Sequence, residues 1–240
     1  MLTELQFSLV VPCYNEETAL IDFLPELQKL QSQYSNLEVI LVNNGSVDGT
    51  RNLLEHFTSN HANVILVDIP TNLGYGNGII EGIKVSNSNT IIWTHSDMQC
   101  DINDVRTALI LWESLGGSES LFIKGKRSNR GALDQAITLG LSIINYFINK
   151  VFISDINGQP NMLAKKNIMS LQKIPSDATF ELFVLTALLS SNRIRIHTFP
   201  VNFSSRIGGV GANEKVISKL KYMLGCVKQS ISIRGSMNDN

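Results

Sequence analysis

Apolar residues in the first hundred positions follow two alternating rhythms. Short runs at Phe7-Ser8-Leu9-Val10-Val11, Glu38-Val39-Ile40-Leu41-Val42, Val64-Ile65-Leu66-Val67 and Ile91-Ile92-Trp93 have the length and β-branched content of buried strands. Between them, apolar positions recur every three or four residues. Leu20, Phe23, Leu24, Leu27 and Leu30 predict a helix from about Glu17 to Gln33. Leu53, Leu54 and Phe57 lie on one that starts near Asp48 or Thr50, and a third spans Gly76 to Val85. Pro12 is expected to halt the first strand. Strands alternating with helices predict an α/β fold, a parallel doubly wound sheet with its ligand site beyond the strand carboxyl ends.

The alternation continues after Asp101, with a helix from Ile102 to Ser114, a strand at Leu121-Phe122-Ile123 and a long apolar helix from about Ala132 to Phe152. A short strand and helix follow around Leu163, Ile168 and Leu171. Then come a helix from Phe180 to Leu189, a strand from Arg193 to Phe199 and an amphipathic helix from Val216 to Val227. No linker or repeat interrupts the pattern. Residues 1–235 are therefore expected to form a single domain, with 236–240 a frayed tail. In the long helix, Leu133, Ile137, Leu141, Ile144, Phe147, Ile148 and Val151 give a wide apolar face. It is read as core, with a lipid-facing surface or a dimer interface as the alternatives.

Composition narrows the function classes. Of 240 residues 43% are apolar and 17% charged, which reads as globular rather than disordered. Lys and Arg total 20 against 21 Asp and Glu, so a nucleic-acid binder relying on a bulk positive field is not expected, although a local basic patch is compatible. Cys13, Cys100 and Cys226 are odd in number and far apart, without C-x-x-C spacing. Neither a disulfide framework nor a zinc site is indicated, and a reducing cytoplasm is favoured. Neither a signal-like apolar core nor a run of about 18 apolar residues occurs.

Candidate chemistry gathers where strands end. After Ile91-Ile92-Trp93, an extended backbone would put His95, Asp97 and Gln99 on one side, offering oxygen and imidazole ligands to a divalent cation that holds a diphosphate. Pro12-Cys13-Tyr14-Asn15-Glu16-Glu17 supplies a ring, an amide and two carboxylates at a strand-to-helix turn. Asn43-Asn44-Gly45-Ser46-Val47-Asp48-Gly49-Thr50 is a polar turn feeding a helix. Gly74-Tyr75-Gly76-Asn77-Gly78 misses the G-x-G-x-x-G spacing of a dinucleotide site, and no Walker A motif is present.

Together these segments resemble the family 2 glycosyltransferases. Val10 to Glu17 is similar to their first-strand signature, Val42 to Thr50 to the second, Asn72 to Gly78 to the stretch after strand three, and His95-Ser96-Asp97-Met98-Gln99 to Asp-x-Asp followed by Gln. The resemblance continues to about residue 225. It implies a GT-A fold, Rossmann-like, with a mostly parallel central sheet flanked by helices. It also implies an inverting, metal-dependent transfer from a nucleotide-diphosphate sugar, with Mg²⁺ or Mn²⁺ as cofactor. Pro12, Tyr14, Glu16, Val42, Asn44, Ser96 and Asp97 match donor contacts; Asp97, Gln99 and His95 match metal ligands. Arg127 and Arg206 match phosphate-contacting arginines, for which an always-charged bidentate guanidinium is suited.

Three departures from the pattern stand out: His95 replaces an acid, Asn43 and Asn44 replace acids, and Val210-Gly211-Ala212-Asn213 replaces the Ser-Lys after Arg206. Asp155-Ile156-Asn157-Gly158-Gln159-Pro160 resembles a segment of bacterial lipid-linked and surface-polysaccharide transferases, where it borders the acceptor. Asp155 is the candidate base, with Asp177 and Glu181 in reserve. Lys124, Lys126, Arg127 and Arg130 read as a basic loop able to meet an anionic head group or acceptor phosphate. The expected acceptor is a polyprenyl phosphate or a lipid-linked saccharide in cell-surface glycan synthesis. Peripheral contact with the inner face of the membrane and a homodimer are further expectations. The rival readings are a sugar-nucleotide nucleotidyltransferase and a nucleotide-sugar binder without turnover.

Overall fold

The structure is a computed structural model that describes residues 6–207 and 216–238. Seven strands form one sheet: β1 (Phe7–Cys13), β2 (Leu37–Asn44), β3 (Val64–Ile69), β4 (Thr90–Trp93), β5 (Leu121–Ser128), β6 (Asn161–Ala164) and β7 (Arg195–Asn202). Their order is β3-β2-β1-β4-β6-β5-β7. Helices α1 (Glu17–Gln33), α2 (Thr50–Asn60), α3 (Tyr75–Val85) and α4 (Asn103–Ser114) connect the first five strands. After β5 come α5 (Ala132–Asn149), α6 (Lys165–Met169), α7 (Phe180–Ser190) and α8 (Val216–Asn238).

β1, β2 and β1, β4 pair parallel, as do β2, β3 and β5, β7. β6 alone runs against its neighbours β4 and β5. The sheet is therefore mostly parallel rather than wholly so. The reversal puts the start of β6 at the same edge as the carboxyl ends of the other six strands. The segment that precedes β6, residues 155–160, accordingly reaches the edge where an α/β sheet gathers its ligand site.

Both sheet faces are covered. Leu20, Phe23, Leu27, Leu54, Val105, Leu109 and Trp112 pack with Leu9, Val11, Val39 and Leu41 on one face. Ile79, Ile83, Phe180, Leu185 and Leu188 pack with Val10, Ile40, Val42 and Trp93 on the other. Strands covered on both faces read as unbroken apolar runs, which is why β1 and β2 were legible as strands.

Some elements differ from the sequence expectation. Pro12 does not halt β1, which continues to Cys13. Val10 O accepts from Thr94 N at 3.3 Å, and the β1–β4 register ends at Val10 and Trp93. Residue 12 has the same orientation as residue 10, so its missing N–H faces a side where the ladder has already stopped. The final helix runs beyond Val227 to Asn238, through part of the tail expected to fray; residues 239–240 lie outside the described residues. α5 divides its apolar face. Leu141 is buried, whereas Leu133, Ile144 and Phe147 are exposed.

Candidate functional site

The loops after β1 and β2 are laced together. Asn15, at φ 53, donates its N–H to Ser46 Oγ at 3.1 Å and accepts from Val47 N at 2.9 Å through Oδ1. Glu16 N donates to Thr50 Oγ1 at 2.8 Å, and Gly49 N donates to Glu17 Oε2 at 2.9 Å. The α1 and α2 amino-terminal ends are thus fixed to each other. Asn43 binds Asp68 Oδ1 through Nδ2 at 2.7 Å and accepts from Ser46 N through Oδ1 at 3.2 Å, which makes it a strut. Asn44 Nδ2 reaches Gly74 O at 3.0 Å, while its Oδ1 is buried without a hydrogen-bond partner. An unpartnered buried acceptor at the carboxyl edge of a strand suits a donor group on a ligand. Tyr14 is exposed just past the end of β1. Pro12 and Val42 are buried in their strands, and the Val42 side chain belongs to the core.

Beyond Trp93 the backbone is not extended. Asp97 Oδ1 accepts from Gln99 N at 3.1 Å, and Met98 sits between them at φ 58. This tight turn removes the alternation expected to line up His95, Asp97 and Gln99. Asp97 is buried, with Ser96 buried beside it, and both lie at the carboxyl edge of β4. His95 turns elsewhere: its ring stacks on Tyr75 at 5.0 Å, and its Nε2 lies 2.9 Å from Gln159 Nε2. Behind them stands Glu181, buried and accepting from Tyr75 Oη at 2.7 Å, with Trp93 Nε1 at 3.4 Å. Burial and the Glu181 charge hold the Tyr75 phenol well above its ordinary pKa, so it remains a donor.

Segment 203–207 closes over this turn. Ser204 N donates to Gln99 O at 2.9 Å and Ile207 N to Asp97 O at 3.3 Å. These bonds bring Arg206 Nη1 to 3.1 Å from Asp97 Oδ2, while Nη2 binds the Glu16 carboxylate. Burial pushes Glu16 up to about 7; Arg206 opposes that rise and Asp97 adds to it. The replaced Ser-Lys region, residues 210–213, lies outside the described residues.

A second cluster forms at the end of β5. Asp155 Oδ2 accepts from Arg127 N at 2.9 Å and Nε at 3.0 Å, and Oδ1 accepts from Nη2 at 2.6 Å. The guanidinium also lies over the Phe203 ring at 5.1 Å. Burial would raise the Asp155 pKa, but the Arg127 bonds and charge, with Lys124, hold it below the ordinary carboxylate value. The expected base therefore has both oxygens engaged by an arginine. Close backbone contact permits this. A Cβ at Gly125 would lie 2.0 Å from Gln159 O, and one at Gly158 would lie 2.1 Å from Gly125 O.

Lys124, expected in a basic surface loop, is instead fully buried. Its ammonium donates to Ile156 O at 2.9 Å, Gly158 O at 2.6 Å and Asn161 Oδ1 at 3.0 Å, and burial lowers its pKa to about 8. It staples the 155–160 segment from beneath. Of the reserve carboxylates, Glu181 lies in the buried network described above. Asp177 accepts from Thr179 N at 2.8 Å and Thr179 Oγ1 at 2.6 Å, at the start of α7. A cavity of about 120 Å³ opens beside Arg127 between α5 and α8, with Arg130, Lys219 and Tyr222 in its wall.

The Asp97 donor set suits a hard divalent cation. Among the described residues no three His, Cys, Asp or Glu side chains gather to cage a metal. One or two carboxylates plus substrate phosphates and water is the arrangement Mg²⁺ commonly takes.

Residues 8–117 match the family model described as Glycosyl transferase family 2. A dolichyl-phosphate beta-glucosyltransferase of Trichomonas vaginalis is 32% identical over 103 residues, 40% of this chain and 32% of that protein. A bactoprenol glucosyl transferase of Shigella phage SfV is 21% identical over 177 residues, 73% of this chain and 57% of that protein. This chain thus spans about a third to little over half the length of these curated relatives. The glucosyl-3-phosphoglycerate synthase of Mycobacterium tuberculosis, solved with Mn²⁺, UDP and glucosyl-3-phosphoglycerate, superposes with a TM-score of 0.71 at 15% identity. That match covers 96% of this chain and 80% of that one. The fold is that of the GT-A glycosyltransferases, and the segment similar to glycosyl transferase family 2, residues 8–117, carries the first four strands and Asp97.

Proposed function

We propose that this chain is an inverting, metal-dependent glycosyltransferase that moves a sugar from a nucleotide-diphosphate sugar to a polyprenyl-phosphate acceptor. The observation carrying the reading is the joining of Asp97, Glu16 and Arg206 at the carboxyl edge of the β1–β4 sheet, where nucleotides bind in such folds. The solved neighbour's UDP and Mn²⁺ support a nucleoside diphosphate and a divalent cation here as well.

In this reading Tyr14, Asn44 and the main chain at Pro12 and Val42 hold the nucleoside. Asp97 would hold Mg²⁺ or Mn²⁺, which would supply positive charge against the diphosphate, while His95 is turned towards Tyr75 and Gln159. Arg206, poised between two carboxylates, shifts its hydrogen bonds to the diphosphate oxygens and stabilises the charge that grows on the leaving group. Arg127, gripped by Asp155, presents a fixed cation to the acceptor.

A carbohydrate hydroxyl would need a base, whereas a phosphate acceptor is already an anion. The engagement of Asp155 by Arg127 therefore favours polyprenyl phosphate over a lipid-linked saccharide. The bactoprenol and dolichyl-phosphate relatives point the same way. The three cysteines, all free and buried, fit a reducing cytoplasm.

Thermal stabilisation by UDP, GDP, CMP and dTDP, each with and without Mn²⁺, tests the donor half. One nucleotide should raise the melting temperature by about 5–10 °C near a hundred times its Kd, and Asp97→Asn should lose that shift. No shift with any nucleotide would overturn the donor reading.

A further inference from the structure

Four segments far apart in sequence meet in one hydrogen-bonded chain of side chains. Tyr75 comes from the start of α3, His95 from just past β4, Gln159 from just before β6 and Glu181 from α7. Glu181 and Gln159 are 2% and 1% exposed, so each bond in the chain has to be made within the protein.

Donors and acceptors can be assigned in order. Tyr75 Oη donates its one proton to Glu181 Oε1 at 2.7 Å. The phenol oxygen then has only lone pairs to offer, and Gln159 Nε2 donates to it. The amide's other proton is left for His95 Nε2 at 2.9 Å, nearer than Glu181 Oε1 at 3.4 Å. Turning the amide over would set its oxygen against the Glu181 carboxylate and against a phenol whose proton is already committed. An amide nitrogen has no lone pair with which to accept. His95 Nε2 is therefore the acceptor, and the ring proton sits on Nδ1.

The arrangement favours His95 over Gln159, whose Oε1 is buried without a partner. Tyr75 holds the imidazole twice, by stacking on it at 5.0 Å and by fixing Gln159. The ring is half-buried, and among the described residues its Nδ1 has no hydrogen-bond partner. A clamped ring thus keeps one N–H unused, two residues before the carboxylate read as the cation site.

We propose that Glu181, Tyr75 and Gln159 are positioning residues that fix His95 as a hydrogen-bond donor, through Nδ1, to an oxygen of the nucleotide-sugar's diphosphate or sugar. His95 is then not a ligand of the cation, because Nε2 is taken by the Gln159 N–H and Nδ1 carries the proton. The choice of ligand rests on the nucleotide-sugar reading of this sheet edge; the tautomer rests on the hydrogen-bond chain alone.

Histidine-nitrogen NMR of the isotopically labelled, unliganded chain reads the tautomer. His95 is one of 4 histidines, and His95→Asn identifies its signals. Nδ1 should carry the proton in the wild type, and Gln159→Met should let it move to Nε2. A proton on Nε2 in the wild type would overturn the proposal, and so would a tautomer indifferent to Gln159→Met. The wild-type spectrum decides even where that variant fails to fold.

Isothermal titration with Mn²⁺ and whichever of UDP, GDP and dTDP binds, free and glucose-linked, tests the ligand. His95→Asn, whose amide N–H can stand in for Nδ1–H, should bind within about threefold of wild type, and His95→Asp, an acceptor only, about tenfold or more weaker. A loss already seen with the free nucleotide assigns the N–H to a phosphate oxygen; a loss confined to the glucose-linked form assigns it to the sugar. A carboxylate is the better ligand for a hard cation. Tight binding by His95→Asp with weak binding by His95→Asn would therefore make His95 a cation ligand and overturn the proposal. Equal binding by the two variants would overturn it as well. Failure of every nucleotide to bind the wild type would sink the donor reading, and the ligand assigned to His95 with it, whatever the tautomer.

Discussion

Arg206 joins Asp97 to Glu16, two carboxylates it meets from 109 and 190 positions away in the chain. Each is buried at the end of a different strand-to-helix unit, and one guanidinium satisfies both. Removal of the arginine should leave the two acids facing each other and strip the donor site of a diphosphate contact. Arg206→Ala is expected to raise the Kd for the cognate nucleoside diphosphate by about ten- to a hundredfold, as for loss of a charged hydrogen bond. Isothermal titration would read this directly, and an unchanged Kd would exclude Arg206 from the donor site.

Glu16 makes stability depend on pH. Its folded-state pKa of about 7 lies above the ordinary 4.5, so the native chain holds the extra proton between those values. The stabilisation is complete below about pH 4.5 and is lost as pH rises through 7. Urea unfolding of the unliganded chain should show that decline, on the order of 2 kcal/mol after solvent screening is allowed for. Glu16→Gln should flatten it. A decline of the same size in the variant would assign it to another group.

Asp155 holds Arg127 on three hydrogen bonds, and most of that pair is out of water. Asp155→Asn leaves a buried cation without its counter-charge and should cost about 3 kcal/mol of stability. If the carboxylate positions Arg127, the acceptor KM rises and the pH profile of transfer keeps its shape. Loss of the profile's basic limb together with a collapse of kcat would make Asp155 the base.

Gly125→Ala tests the close approach of β5 to residues 155–160. The new methyl would meet a carbonyl oxygen at 2.0 Å, so the segment must move. Destabilisation of about 3 kcal/mol is expected, with weakened acceptor use and an unaltered Kd for nucleotide. A variant with wild-type stability would show that the segment yields freely.

What the sequence made legible was local. α1 begins and ends at the expected residues because five leucine and phenylalanine positions share one stripe. The segments around Glu16, Asn44 and Asp97 could be found because each sits where a strand run stops. Long-range partnerships could not be read. Lys124 draws its three oxygens from residues 32 to 37 positions later, so it looked like part of the Lys126 and Arg127 loop. Glu181 meets Tyr75 across 106 positions. Periodicity identified α5 as amphipathic but carries no information on which face turns inward; Ser142, Asn145 and Asn149 lie on the buried side together with Leu141. The direction of β6 was equally invisible, since a run of three apolar residues, Met162 to Ala164, reads the same both ways.

The reversed strand lies wholly outside the family match. The family match ends at residue 117, before β5 begins, and takes in Glu16, Asn44 and Asp97. Arg127, Asp155 and α5 all come later, grouped around β5 and the entry to β6. Because β6 runs against its neighbours, the later segment still arrives at the edge that holds Asp97, so two stretches far apart in sequence meet along one line.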